Sequence, residues 1–190
     1  MGLSSLEKGM LMDLARSAAT AFTQKGLGVE PAVDESGLPD ALLEKKGLFV
    51  AIYKQGKLRG CMGTILPVMP IWQACMENAR SAAYKDPRFV PLANHELDHI
   101  SFEITIVDTP RPFSDVSGLN KGIHGLILTK GFRKEVFLPG SLKDLPQNSE
   151  EIFARLRDKA DMNDDDHNAP EQWEFFHAEV ISERTTDDGC

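Results

Sequence analysis

Hydrophobic and polar positions change their period several times along this chain, and each change marks an element. From Ser4 to Lys25, Leu6, Met10, Leu14, Ala18 and Phe22 recur at i+4, with Leu11 and Ala21 widening the stripe, which is the pattern of an amphipathic helix. Ser4 and Glu7 form a capping box at its start, and Gly26 supplies a stop. Residues 27–46 lose the period and carry Pro31, Gly37 and Pro39, so they read as a loop with one helical turn over 40–45. Strand-like runs follow at Gly47–Tyr53 and Leu58–Thr64, separated by the polar turn Lys54-Gln55-Gly56-Lys57, and predict a hairpin. Strict alternation in the second run places Leu58, Gly60, Met62 and Thr64 on one face and Arg59, Cys61, Gly63 and Ile65 on the other.

Pro70 is placed to open a second helix, in which Ile71, Ala74, Cys75, Asn78, Ala79, Ala82 and Ala83 hold helical spacing. That face is narrow and rich in alanine, suited to close packing on a sheet. Two prolines hold Asp86-Pro87-Arg88-Phe89-Val90-Pro91 extended, as a loop that aims a side chain. Ile100–Val107 is a strand with Phe102, Ile104 and Ile106 facing one way and Ser101, Glu103, Thr105 and Val107 the other, closed by Thr109-Pro110-Arg111-Pro112. Residues 113–121 read as loop. A second hairpin follows: residues 121–128 run from a glycine-rich turn into a strand, 129–134 turn, and Glu135 to Leu138 return, ended by Pro139-Gly140. Asn148 with Glu151 opens a last helix, Trp173–Ile181 is the final strand, and 184–190 is expected to be a frayed tail. Helices and strands do not alternate as βαβ units. The expectation is therefore one α+β domain over residues 1–190, with a mostly antiparallel sheet flanked by helices.

Composition narrows the function classes. A net charge of −8, spread along the chain, argues against a phosphate-backbone binder and against attraction to anionic lipid, so neither nucleic acid nor membrane is expected as a partner. No apolar run approaches a membrane span, and the N-terminus lacks the pattern of a secretion signal. Cys61, Cys75 and Cys190 cannot all pair and form no Cys-x-x-Cys, which fits a reducing, cytoplasmic setting.

Several motifs fail on inspection. Asp161, Asn163 and Asp165 match calcium-loop positions 1, 3 and 5, but Asp166 stands where the loop needs glycine and Gln172 where it needs a bidentate glutamate. His177-Ala178-Glu179 lacks the Pro-Cys-x-x-Cys that a zinc deaminase requires. No phosphate loop, dinucleotide fingerprint or nucleophile elbow is present, so neither metal nor cofactor is expected.

Two glycines in a strand as short as Leu58–Thr64 offer nothing to pack, and mark a bulge or a close approach to the backbone. Cys61 lies between them on the face of Arg59, and a guanidinium close to a thiol favours the thiolate. With His124 between Gly122 and Gly125, and Glu103 and Arg88 on other elements, the chain holds the residue types of nucleophilic catalysis. The alternative is a buried, inert Cys61, an Arg59–Glu103 structural ion pair and a His124 bonded to local backbone.

Leu58-Arg59-Gly60-Cys61-Met62-Gly63 resembles the Leu-Arg-Gly-Cys-Ile-Gly signature of the AMMECR domain family. Asp86-Pro87-Arg88-Phe89, Phe102-Glu103-Ile104 and Gly122-Ile123-His124-Gly125-Leu126 resemble flanking segments of that family, over roughly residues 6–183. Two departures stand out: Gly140-Ser141 after Leu138-Pro139, and Lys159-Ala160-Asp161-Met162 where Lys-Ala-Gly-Leu is usual. The resemblance implies a two-lobed α+β fold with both termini in the larger lobe, and no settled activity. It also implies association with a Memo-like protein, related to extradiol dioxygenases, and with a radical-SAM protein. Two readings follow. One is a binding or accessory protein whose Arg59, Gly60, Gly63, Asp86 and Arg88 receive a small anionic ligand or a partner's tail. The other is a cysteine enzyme of acyl-transfer or hydrolase type, with Cys61 as nucleophile and His124 or Glu103 as base.

Overall fold

The computed structural model describes residues 2–25, 31–113, 119–145, 149–162 and 169–183. The chain divides into two compact units, one of residues 1–107 with 179–190, the other of residues 108–178. Every strand pairing recorded within them is antiparallel, and helices and strands are mixed, giving an α+β fold.

The first unit opens with α1 (Ser5–Lys25), capped as expected: Glu7 N–H donates to Ser4 Oγ while the Glu7 carboxylate receives Ser4 N–H at 2.7 Å. The face of α1 formed by Leu11, Ala15, Ala18 and Ala19 is buried, and α3 (Ile71–Tyr84) packs against it. Cys75 sits between them, fully buried, its thiol donating to the Leu11 carbonyl and pushed well above the ordinary thiol range by burial. It is a small core residue. A single helical turn, α2 (Asp40–Leu43), precedes the sheet and buries Leu42.

The sheet of this unit joins β1 (Gly47–Lys54) to β2 (Lys57–Thr64) on one side and to β3 (Ile100–Val107) on the other. The turn between β1 and β2 is tighter than the four polar residues suggested. Only Gln55 and Gly56 form it, both at positive φ, which matches the twist of a two-residue hairpin. Leu48, Val50 and Ile52 of β1 and Phe102, Ile104 and Ile106 of β3 are all buried on one face, in a single core with α1 and α3. The end of β7 (Glu171–Ser182) runs beside β3, where Glu183 N–H donates to the Phe102 carbonyl.

In the second unit the earlier part of β7 is flanked by β4 (Arg111–Pro112) and β5 (His124–Lys130), and β5 pairs with β6 (Arg133–Phe137). Leu126, Leu128 and Phe137 form a core with Leu142 of α4 (Pro139–Leu142) and Ile152 and Leu156 of α5 (Ser149–Lys159). Arg157 clamps Glu171 through two nitrogens, at 2.8 Å each, tying α5 to β7.

Four boundaries correct the sequence expectation. Arg111-Pro112 closes β3 but is itself a strand, too short for alternation to reveal, with Pro112 tolerated because β4 pairs on one side only. The second hairpin turns on Gly131 and Phe132 alone, since Gly131 adopts positive φ. Pro139 does not merely end β6; it occupies the first turn of α4, where its missing N–H is harmless. β7 begins at Glu171, two residues before Trp173. Gly26, Asn148, the calcium-like residues 163–166 and the tail 184–190 lie outside the described residues.

Candidate functional site

The two glycines of β2 are explained by what stands against them. A Cβ built on Gly60 would lie 2.1 Å from the Ala82 carbonyl oxygen, so α3 rests on the bare backbone of the strand. The alanine-rich face of α3 makes that approach possible, as its composition suggested. A Cβ on Gly63 would strike the ring of Phe49, its partner across the ladder, at 2.4 Å. Both glycines thus serve close packing within the protein.

Alternation then fixes Cys61 on the sheet face away from α3. Its partner across the ladder is Ala51, whose partner is in turn Glu103, so Cys61, Ala51 and Glu103 form one row across three strands. Tyr53 Oη donates to Glu103 Oε1 at 3.4 Å. Phe49, Gly63 and Thr105 form the neighbouring row. Ala51, small and buried, lies in that row between a thiol and a carboxylate.

Two carboxylates hold the 86–96 segment along β2. Asp86, buried, accepts the Cys61 backbone N–H at 2.8 Å and two nitrogens of the Arg88 guanidinium at 2.6 and 2.9 Å. These bonds hold its carboxyl down to about 2, the Arg88 bond most of all. Glu96, also buried, receives Arg59 through Nε and Nη2, Lys54 at 2.8 Å, and the Ala93 N–H. Its carboxyl too is held at about 2, chiefly by Arg59.

Arg59 is therefore misplaced in the sequence reading. The β1–β2 register shifts between Ile52, opposite Gly60, and Tyr53, opposite Leu58, which leaves Arg59 as an extra residue in β2. The bulge moves Leu58 into the row of Tyr53. Arg59 reaches Glu96 and the Val90 and Pro91 carbonyls, and its ion pair is with Glu96 and not with Glu103. The cation acting on the thiol is Arg88. Even so the Cys61 thiol is pushed up to about 11: burial is the main cause, Arg88 opposes it, and the Asp86 and Glu103 carboxylates add to it. At pH 7 the thiol stays protonated.

Of the sequence candidates, then, Cys61, Glu103, Asp86 and Arg88 lie together on the first unit, with Gly60 and Gly63 as packing residues and Arg59 as a brace. His124 belongs to the second unit. There its Nδ1 accepts the Asn120 N–H at 3.1 Å, and its ring stands 6.0 Å from His177, its partner across the ladder. Burial and His177 lower its pKa. Accepting that N–H fixes the proton on Nε2. Sequence reasoning missed Glu96, although a glutamate just past a proline-rich loop and two cations on a hairpin were a usable signal. Among the described residues no cluster of histidine, cysteine or carboxylate side chains could hold a metal ion, and no helix is long and apolar enough to cross a membrane.

The family model described as AMMECR1 matches residues 12–181. A protein of Methanothermobacter thermautotrophicus is 35% identical over 153 residues, covering 77% of this chain and 80% of its own. One from Thermofilum pendens is 34% identical over 182 residues, covering 87% and 84%. The crystal structure of the uncharacterized protein PH0010 from Pyrococcus horikoshii superposes with a TM-score of 0.77 at 27% identity, covering 94% of this chain and 92% of that one.

Proposed function

The chain belongs to the AMMECR1 family, and from that premise we propose that it is a binding or accessory protein, not a cysteine enzyme. Its working surface is the sheet face centred on Ala51 and bordered by Cys61, Glu103, Tyr53 and Arg88. The single observation that carries this reading is the placement of Cys61, partly buried and with its backbone N–H held by Asp86. Burial, helped by the Asp86 and Glu103 carboxylates and opposed by Arg88, pushes its thiol up to about 11, a weak nucleophile at neutral pH. The same polar groups that a catalyst would turn on the thiol are used otherwise. Asp86 holds the strand backbone, and Arg88 is clamped to Asp86 while its side chain stays 57% exposed.

An exposed guanidinium suits a small anionic ligand or the acidic tail of a partner. The partners the family resemblance points to are a Memo-like protein and a radical-SAM protein.

Pull-down of the purified Memo-like protein tests this. Cys61→Ser is expected to keep binding at micromolar concentration, and Arg88→Ala to weaken it. Absence of any interaction with either protein at that concentration overturns the docking reading. Alkylation of Cys61 in the folded protein at neutral pH faster than of a free thiol would restore the enzymatic one.

A further inference from the structure

The first unit also holds a cavity of about 140 Å³ that shares no residue with the Cys61 face. Its apolar walls are Ala18 of α1, Val33 of the segment before α2, and Trp72 and Met76 of α3. Gln73, Glu77 and Arg80 make its polar side. On α3, Trp72, Met76 and Arg80 follow at i+4, with Gln73 and Glu77 on the adjacent row. The helix thus presents two working faces: Ile71, Cys75, Ala79 and Ala82 are buried, and the Trp72 face borders a hollow. The Trp72 ring lines that hollow, while its Nε1–H is buried without an acceptor, the one such side-chain atom among the described residues. Buried indole N–H groups ordinarily find a partner.

We propose that this cavity binds a small planar aromatic molecule carrying one oxygen acceptor. The volume matches a single ring, since an engineered apolar cavity of about 150 Å³ in another protein takes up benzene. The indole ring, Met76 thioether and Val33 methyls offer it a flat, polarisable slot. A carbonyl oxygen on the ring is placed at the polar side, where the Gln73 amide and the Arg80 guanidinium are the N–H groups that can donate to it.

The test uses the whole chain, labelled with ¹⁵N, and benzamide as probe. The chain has two tryptophans, Trp72 and Trp173, so Trp72→Phe assigns the indole N–H signals. The expected result is a saturable shift of the Trp72 signal with a Kd of about 1 mM, and none for Trp173. Ala18→Leu fills the cavity from the helix and is expected to weaken binding at least about tenfold. Should that variant fail to fold, Val33→Phe fills it from the loop with the same expectation. Toluene, which has the ring without the acceptor, is expected to bind about tenfold more weakly than benzamide. No saturable shift up to roughly 10 mM, a shift unchanged by a filling variant that folds, or equal binding of toluene overturns the proposal.

Discussion

The two units stabilise their hairpins with different kinds of charge. In the first, Asp86 and Glu96 are buried, at 5% and 6% exposure, and both contact β2 or its bulge residue. In the second, the ion pairs Arg155–Glu151 and Lys134–Glu174 lie on the surface, and Arg157–Glu171 is partly exposed. A buried carboxylate bonded to backbone and guanidinium is an all-or-nothing device, since losing one partner leaves the other desolvated. A surface pair is worth little and is lost without consequence. The signature hairpin is thus where losing a charge, by substitution or by acid, acts strongly, and the ion pairs of the second unit are where it acts weakly.

The largest separation between the two is expected from glycine. Gly60→Ala pushes a methyl into the backbone carbonyl of Ala82, which cannot give without moving α3, so urea unfolding should register a loss of about 3 kcal/mol or more. Gly140→Ala in α4 of the second unit meets no atom within 4 Å, so its loss should be close to zero. An equal loss for both would remove the contrast.

Next comes Glu96→Gln, which leaves Arg59 and Lys54 facing a neutral amide. A loss of about 2 kcal/mol is expected, against less than about 0.5 kcal/mol for Glu151→Gln on the surface of α5.

Acid sharpens the same comparison. Asp86 and Glu96 are held at about 2, below their ordinary values of 3.8 and 4.5. Carboxyls depressed in this way stabilise the fold fully above the unfolded values, and the contribution fades as pH falls from about 4.5 through about 2. Together they contribute about 3 kcal/mol, discounted for the exposure of Arg88. Unfolding followed from pH 5 to pH 2 should show this slope, and Asp86→Asn should remove about half of it.

The smallest effect concerns Cys61 itself. Its alkylation rate should climb about tenfold per pH unit between 7 and 10, and a plateau near pH 8.5 would contradict a thiol raised to about 11.

Much of this was legible in the residues. The capping box of Ser4 and Glu7, the alanine face of α3 and the alternation of β3 each follow from local rules that tertiary packing then respected. The glycines of β2 were readable as points of close approach, though not what would approach them. What alternation could not reveal is the bulge. Nothing in Leu58-Arg59-Gly60 says that one residue is surplus, because the shift exists only relative to β1. With the bulge unseen, Arg59 was placed beside Cys61, and the thiol inherited a cation that in fact serves Glu96. Sequence also names charges without their burial. The proximity of Arg88 predicts a lowered thiol pKa, and it is desolvation that reverses the sign.

The surplus residue in β2 has one more effect. It uncouples the parity of the hairpin tip from that of the signature, so Leu58 and Cys61, three positions apart, share a side of the sheet. Deleting Arg59 would restore regular pleating with Leu58 still opposite Tyr53 and Cys61 still opposite Ala51, so neither end of the strand would turn over. What the shorter strand would lose is the guanidinium that binds Glu96.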